Sequence, residues 1–437
     1  MRALICAFGS HGDVLPLVAI GAELKRRGHD VVVGSAEPFG AAVRRAGLEF
    51  EQLATEAEYR EALAHADLWR PIRGARRLLG FVERSIRPVH DFVARRRLKG
   101  ETMAIASSLA IGARVANDAL SVPLITVHLS PMMMQSGHEA PRLPGLPPLA
   151  WLPPRFRWDL QMGVDEYFVD PAVTPRLNAF RAELGLKPIK RLRHWWNAPR
   201  RMLLMWPDWF AAPQADWPGQ ARLGGFPRAD LFGHVDDRPD EALEAFFAAG
   251  ETPIAVTFGS AMRGGEELYR AALDACERLE RRCLVLSPTP VEIRPAMRGR
   301  AIVVPYAPFG AVLPRCAAFV HHGGVGTLAQ GFAAGLPQLV VPLAFDQFDN
   351  ADRLHRLGCG ISVSRRWFGP RSGARALAAL ISSPAVAESC RQVSELMRAD
   401  DAVGRACDEI EAEFAAERAI RRARPKRKAQ RPPTAAD

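Results

Sequence analysis

The sequence predicts two doubly wound, Rossmann-like α/β domains that face one another across a cleft. At 437 residues the chain is too long for a single hydrophobic core, so two domains are expected. Residues 3–7, 14–27 and 31–33 have the patterns of a strand, a helix and a strand, which form the βαβ unit of a parallel sheet. The same pattern restarts at residue 253, after a polar stretch typical of a linker. We therefore place the domains at 1–228 and 229–417.

The first domain opens with a glycine turn between its first strand and its first helix. The turn consists of Gly9, Ser10, His11, Gly12 and Asp13. Its glycine spacing is G-x-x-G, which differs from the G-x-G-x-x-G of dinucleotide-binding turns. An acid follows the second strand at position 37, where a ribose-binding group would stand, but alone it is little evidence for a nicotinamide or flavin enzyme.

Residues 68–93 carry a helical apolar stripe whose other faces are rich in arginine. Pro71 and Pro88 interrupt the stripe and should start or kink helices. The arginines favour a solvated helical face; a second interpretation is a basic amphipathic element resting on anionic lipid. They are Arg70, Arg73, Arg76, Arg77, Arg84 and Arg87.

A long, apolar, proline-rich loop is expected at 131–154. In a domain of this size such a loop is usually functional or mobile. It begins with Met132, Met133 and Met134. These flexible side chains could line an adaptable apolar pocket or simply fill the core, and both interpretations stay open.

The second domain contains a strand, a glycine turn and a helix that together suit a phosphate. An apolar run at 317–320 precedes His321, His322 and the glycine turn that follows them. In such a turn the free backbone N–H groups and the positive end of the helix dipole point to one place. A later strand leads to Asp346 and Gln347, at the edge where open α/β sheets bind ligands.

Composition narrows the class of protein further. No apolar run approaches the ~20 residues that cross a bilayer, the N-terminal stretch lacks signal-peptide features, and seven scattered cysteines suit a reducing compartment. We expect a cytoplasmic protein, with peripheral contact at the inner membrane as an additional expectation. The net charge of +10 favours anionic partners, but much of it lies in the basic tail at 418–437, which is expected to be disordered. No interleaved basic and aromatic surface indicates a nucleic-acid partner.

These motifs resemble the donor-binding signature of family-one glycosyltransferases with the GT-B fold. The opening FGSHGDVLPLVAIGAELKRRGHDV is similar to the start of the bacterial members, which share G-S-x-G-D-V-x-P. The resemblance covers nearly the whole chain except the basic tail. Within the family, PQ-DWP (213–218), YAP-GA-LP-CA (306–317) and DQFDNA-RL-RLGCG (346–360) are most similar to the rhamnosyltransferases of rhamnolipid synthesis. Bacterial sterol and macrolide glycosyltransferases share the general motifs.

The resemblance implies an inverting transfer of a sugar from a nucleoside diphosphate to a hydroxyl, without a metal cofactor. It assigns the catalytic base to Asp13, which can accept a hydroxyl proton as the C–O bond forms. The alternative is that Asp13 only caps the first helix. Ser10, His11, Met132 and Met133 are the expected acceptor-binding residues.

The resemblance also assigns a set of donor-binding residues in the second domain. A histidine, a threonine and turn amides would hold the diphosphate, an Asp-Gln pair the sugar, and a tyrosine the base. Gln330 departs from plant relatives, which have Glu there; a single acceptor oxygen suits a deoxyribose with one hydroxyl fewer. The set is Ser260, Tyr306, His322, Gly324, Gly326, Thr327, Gln330, Asp346 and Gln347.

The most specific expectation is L-rhamnose transfer from dTDP-L-rhamnose to a lipid acceptor such as 3-(3-hydroxyalkanoyloxy)alkanoate. The first alternative is a sterol or macrolide glucosyltransferase that uses UDP-glucose. A sugar-nucleotide epimerase of the same fold and a non-catalytic donor-binding subunit are the others.

Overall fold

The computed structural model of the chain describes residues 1–143, 149–227, 241–259 and 265–423. Two parallel sheets confirm the predicted pair of doubly wound domains. The first sheet has the order β3-β2-β1-β4-β5-β6-β7 and the second has the order β10-β9-β8-β11-β12-β13. The strands are β1 (Arg2–Cys6), β2 (Asp30–Ala36), β3 (Glu49–Ala54), β4 (Thr102–Ser107), β5 (Leu124–His128), β6 (Arg201–Leu204), β7 (Ala221–Leu223), β8 (Ile254–Thr257), β9 (Cys283–Leu286), β10 (Ala301–Val304), β11 (Ala318–His321), β12 (Gln338–Val340) and β13 (Gly360–Ser362).

Helices cover both faces of each sheet. In the first domain they are α1 (His11–Arg26), α2 (Gly40–Arg45), α3 (Glu56–Ala64), α4 (Pro71–Arg96), α5 (Gly112–Leu120), α6 (Pro154–Val164), α7 (Asp170–Glu183) and α8 (Leu192–Trp196), with a π-helical turn at Asp165–Val169 joining α6 to α7. In the second domain they are α9 (Glu241–Ala248), α10 (Glu266–Arg278), α11 (Phe309–Val312), α12 (Val325–Ala333), α13 (Gln347–Arg356), α14 (Pro370–Ile381), α15 (Pro384–Arg398) and α16 (Ala402–Ala423).

Strand order fixes where a ligand can sit in each domain. The chain direction across the sheet reverses between β1 and β4 in the first domain and between β8 and β11 in the second. At such a switch point the connections leave in opposite directions and open a crevice at the carboxyl ends of the strands. The turn after β1 and the turn after β11 therefore lie at the two crevices, and these are the turns that the sequence singled out.

An apolar cluster joins the two domains. Trp206, Phe210 and Phe226 of the first domain pack with Leu328 and Phe332 of the second. The rings of Phe210 and Phe332 lie 6.1 Å apart and meet edge to face. Because these side chains exclude water together, the interface holds the two crevices facing one another.

Helix α16 returns to the first domain, which corrects the predicted boundary of the tail. Ala406 and Ile410 belong to the core of the first domain. Arg200 pairs with Glu413 and Glu417, which anchors the last turns, so residues 418–423 are helical rather than disordered. Residues 424–437 and the predicted domain junction at 228–229 lie outside the described residues.

Candidate active site

The glycine turn after β1 holds the Asp13 carboxylate at the cleft. Asp13 lies in the first turn of α1, and its Oδ2 accepts hydrogen bonds from the Ser10 backbone N–H at 2.7 Å and from the Ser10 hydroxyl at 2.9 Å. Gly9 has φ +127°, and a Cβ there would lie 2.4 Å from Asp13 Oδ2. Only glycine can occupy that position without displacing the carboxylate.

Burial makes Asp13 a stronger base than an ordinary aspartate. Desolvation raises the pKa of its carboxyl, and the two hydrogen bonds from Ser10 oppose part of that rise. These two bonds are also the ones that a helix-capping aspartate would make, so the structure gives Asp13 the capping role alongside the one expected of a base. Both bonds go to the same oxygen.

His11 and Tyr59 surround the Asp13 turn. The His11 ring lies 5.0 Å from that of Phe39, which in turn meets Tyr59 at 5.4 Å. Burial and the charge of Asp13 together raise the pKa of the Tyr59 hydroxyl. Tyr59 was missed by sequence reasoning because α3, which carries it, has no motif and lies far from the turn in the chain.

His321 and His322, at the end of β11, have different surroundings. His321 is buried; its Nε2 and Gln338 Oε1 are 2.8 Å apart, and its Nδ1 accepts the Gly323 N–H at 3.0 Å. It therefore fixes the turn from inside the core. The ring of His322 stands at 85° to it, as expected for neighbours on an extended strand.

Two glycines enclose the His322 ring. A Cβ at Gly259 would lie 2.9 Å from its Cε1, and a Cβ at Gly324 would lie 2.6 Å from its Nε2. Burial lowers the pKa of His322 to about 4, so the imidazole is neutral at pH 7 and one ring nitrogen carries a proton. Within the described residues its Nδ1 has no hydrogen-bond partner.

The helix that follows His322 directs its amino-terminal end toward the same turn. Gly324 is the N-cap of α12, so the first amides of the helix have no helical acceptor, and Thr327 adds a hydroxyl in the same turn. A Cβ on Gly326 would lie 3.9 Å from the Gly12 Cα, so the amino-terminal ends of α1 and α12 meet across the cleft.

Two further residues predicted to bind the donor are described in the second domain. Gln330 is half-buried on the second turn of α12, and Tyr306 follows β10 on the same edge of the sheet. Ser260 lies outside the described residues. Among the residues that are described, no group of three or more His, Cys, Asp or Glu side chains could hold a metal ion.

Asp346 and Gln347 differ in what they can offer a sugar. The Gln347 Oε1 accepts the N–H groups of Leu343 and Ala344 at 2.7 and 3.0 Å. This oxygen shapes the loop, and the expectation that Asp346 and Gln347 bind the sugar stays a prediction. The Asp346 Oδ2 accepts a bond from Asn350 Nδ2 at 2.8 Å.

Asn350 was missed by sequence reasoning although it lies in the quoted DQFDNA stretch. Its Nδ2 donates both to Asp346 and to the Gly323 carbonyl at 2.9 Å, which ties the Asp346 carboxylate to the glycine turn. Its position one turn after Asp346 on the same helix could have predicted the contact between the two side chains.

Asp346 and Asp13 interact although they belong to different domains. Burial raises the pKa of Asp346 to about 6; the Asn350 hydrogen bond opposes the rise and the negative charge of Asp13 adds to it. The Ser130 hydroxyl, at the end of β5, faces the same carboxyl and lowers its pKa without a hydrogen bond of standard geometry. This interaction agrees with the close approach of Gly12 and Gly326, which brings the two glycine turns together.

Two of the three consecutive methionines are half-buried, and their acceptor-binding role stays a prediction. Met132 and Met133 are half-buried in the turn after Ser130, whereas Met134 belongs to the interdomain core. Arg193 donates to the Met133 carbonyl at 3.2 Å and so holds this turn in place.

Comparison with known proteins gives consistent matches in both domains. Residues 3–137 match the model of the glycosyltransferase family 28 N-terminal domain, and residues 288–412 match the erythromycin biosynthesis protein CIII-like C-terminal domain. The O-mycaminosyltylonolide 6-deoxyallosyltransferase of Streptomyces fradiae is 31% identical over 94% of this chain and 97% of its own length.

Solved structures confirm the predicted GT-B architecture. The glycosyltransferase of kitacinnamycin superposes with a TM-score of 0.73 at 22% identity, covering 94% of this chain and 99% of that one. The spinosyn rhamnosyltransferase SpnG, complexed with thymidine diphosphate, superposes with a TM-score of 0.63 at 18% identity, covering 92% and 98%.

Replacing Asp346 by Asn should stabilise the ligand-free protein in a pH-dependent way. Because the folded-state pKa is raised from 3.8 to about 6, the favourable contribution of Asp346 is present below pH 4 and is lost as the pH rises through 6. Above pH 7 we expect Asp346→Asn to unfold at a higher temperature than the wild type. Its free energy of unfolding should be larger by roughly 2 kcal/mol, after allowance for the partial exposure of the carboxyl. The measurement is thermal unfolding between pH 4 and 8, with the exposed Asp159→Asn as control. A pH-independent difference would contradict the desolvation of Asp346.

Proposed function

The chain belongs to the EryCIII-like glycosyltransferases of the GT-B fold, and on that premise we propose that it transfers a 6-deoxyhexose from a thymidine diphosphate sugar to a hydroxyl of an apolar small molecule. The observation that carries the proposal is the single cleft in which Asp13 faces Asp346 and the His322 turn. A base, a sugar contact and a diphosphate pocket are the three parts that such a transfer needs.

The proposed reaction is a direct displacement with inversion. The acceptor oxygen bonds to the anomeric carbon while the bond from that carbon to the diphosphate oxygen breaks. Asp13 takes the acceptor proton, helped by its raised pKa. The leaving diphosphate keeps the bonding electrons, and its growing charge is stabilised by the His322 N–H and the first amides of α12. No metal cofactor is required in this scheme.

The proposal of a thymidine nucleotide rests on Gln330 and on a relative. Gln330 offers one acceptor oxygen at the place where plant relatives carry Glu, which suits a deoxyribose. The spinosyn rhamnosyltransferase SpnG binds thymidine diphosphate. Tyr306 is the proposed platform for the base, and Ser260 is a proposed phosphate contact.

Two acceptor classes are supported by different observations. The motifs in 213–218, 306–317 and 346–360 favour L-rhamnose transfer to a hydroxyalkanoyloxy-alkanoate. The identity of 31% to a 6-deoxyallosyltransferase acting on a macrolide favours a macrolide hydroxyl as the second candidate. Half-buried Met132 and Met133 suit either apolar acceptor, and Ser10 and His11 are the other proposed acceptor contacts.

The test of this function is a transfer assay over a matrix of donors and acceptors. dTDP-L-rhamnose and UDP-glucose are each incubated with a hydroxyalkanoyloxy-alkanoate, a macrolide aglycone and a sterol, and products are identified by mass. We expect turnover with the thymidine donor. Turnover only with UDP-glucose and the sterol would contradict the proposal, and donor conversion without any acceptor would indicate an epimerase.

Replacing Asp13 by Asn should abolish transfer while preserving donor binding. Asn keeps the shape and can still accept from Ser10 but cannot take a proton, so we expect kcat to fall by at least about a hundredfold. Binding of thymidine diphosphate, measured by calorimetry, should change less than about threefold. Substantial transfer by this variant would show that another group is the base.

A further inference from the structure

One region of the first domain has an unusual concentration of exposed apolar side chains. Of the eight large apolar residues that are exposed among the described residues, five lie on α4 or in the segment 151–167. They are Ile72 (65% exposed), Trp151 (75%), Phe156 (61%), Leu160 (38%) and Tyr167 (82%). Single exposed apolar residues need no explanation, but a contiguous group indicates a binding surface.

Three of these residues form one stripe along the α6 segment. Phe156, Leu160 and Tyr167 follow helical spacing, so they project from the same side. Gly163 belongs to the same stripe, and a Cβ placed there would meet no atom within 4 Å. The stripe therefore faces open space.

Helix α4 runs parallel to α7 and brings its own residues beside the stripe. Arg76 lies over the Phe168 ring at 5.5 Å, and farther along both helices Glu83 pairs with Arg176 at 3.1 Å. Residue numbers increase in the same direction along the two segments, and residues in contact differ by about 92 positions. The same register brings Ile72 level with residues 164 and 165, at the middle of the apolar region.

The start of α4 adds a basic recess to this surface. Arg73, Arg76 and Arg77 line a recess of about 350 Å³ together with one acid, Asp67. Asp67 Oδ1 lies 3.4 Å from Arg70 Nη1 and 3.4 Å from Arg73 Nη1, so a single carboxylate faces several guanidinium groups. Guanidinium groups bind phosphate with favourable geometry.

We propose that this surface docks on an anionic phospholipid bilayer. We define the docking surface as the apolar side chains of Ile72, Trp151, Phe156, Leu160 and Tyr167 and the arginine recess. Exposed Trp and Tyr beside Arg is the combination that favours the interface between headgroups and acyl chains. Its net positive charge complements anionic headgroups, and the recess can receive a headgroup phosphate.

The docking surface is connected to the cleft through hydrogen bonds. Gln161 on α6 donates to the Ser136 carbonyl at 2.8 Å, and Gln135 donates to Asp165 at 3.0 Å. Both partners belong to the loop that carries Met132 and Met133. If the proposed function holds, this loop links the docking surface to the methionines proposed to bind the acceptor.

Vesicle binding without any substrate tests the docking surface separately from the proposed activity. The full chain is sedimented with phosphatidylcholine vesicles, with and without phosphatidylglycerol. We expect salt-sensitive binding to the anionic vesicles only. The variant R73Q/R76Q/R77Q should bind at least tenfold more weakly. F156S/Y167S should weaken binding to a similar degree.

Matched controls come from exposed residues of the second domain. The variant R278Q/R391Q/R398Q removes the same charge elsewhere, and W367S removes an aromatic side chain that is 69% exposed. Both should bind like the wild type. With brominated acyl chains, Trp151→Phe should lose tryptophan quenching and Trp367→Phe should not, which distinguishes this surface from the basic residues at 418–428.

Several outcomes would overturn the proposal. These are no binding of the wild type to anionic vesicles, undiminished binding of the arginine variant, and quenching unaffected by Trp151→Phe. Tight binding of polyglutamate without vesicle binding would assign the surface to an acidic protein. A dimer in light scattering that F156S/Y167S dissociates, again without vesicle binding, would assign it to a second copy of the chain.

Discussion

Two carboxylates from different domains share one desolvated cleft, and the rest of the fold keeps them together. The charge of Asp13 raises the pKa of Asp346, so the two groups destabilise one another in the ligand-free protein. Such an arrangement persists only where other contacts hold the domains closed. The unfavourable interaction is useful because a bound sugar would offer hydroxyl donors to Asp346 and an acceptor would offer a proton to Asp13.

The closing contacts lie away from the chemistry. Arg353 is 3% exposed and bonds both to Asp349 at 2.8 Å and to Glu139 of the first domain at 3.0 Å. Asp349 in turn accepts the Arg142 N–H at 2.9 Å. This buried network, the aromatic cluster and the returning helix α16 each cross from one domain to the other. A buried arginine with two acidic partners fixes orientation more than it adds stability.

Much of this arrangement could be predicted from the sequence, for identifiable reasons. The strands and helix α1 show the apolar periodicity of their secondary structure, and the glycine turns after β1 and β11 meet local backbone requirements. Both signals can therefore be recognised within a few consecutive residues. Gly9, Gly323 and Gly324 are needed because side chains there would collide with Asp13, Val340 and His322, respectively. Asn350 could also have been predicted, because it lies one turn after Asp346 at the start of the same helix.

Other parts depend on contacts that no local pattern encodes. The charge of Asp13 acts on Tyr59 although that residue lies on another helix, α3, and the engagement of the Gln347 oxygen depends on the path of a loop. The helical path of residues 418–423 depends on acids of α16 meeting Arg200, more than two hundred positions earlier. The apolar stripe on α6 follows the proline-rich loop predicted at 131–154, in a segment for which no element was predicted.

The central claim is that the His322 turn is a diphosphate site. Titration of the protein with thymidine diphosphate in a calorimeter tests it most directly, using His322→Ala and the exposed His355→Ala as a matched pair in the same domain. Loss of a hydrogen bond to a charged group should weaken binding by roughly tenfold or more in His322→Ala and leave His355→Ala unchanged. Equal affinity of His322→Ala and the wild type, or no binding by the wild type, would contradict the account.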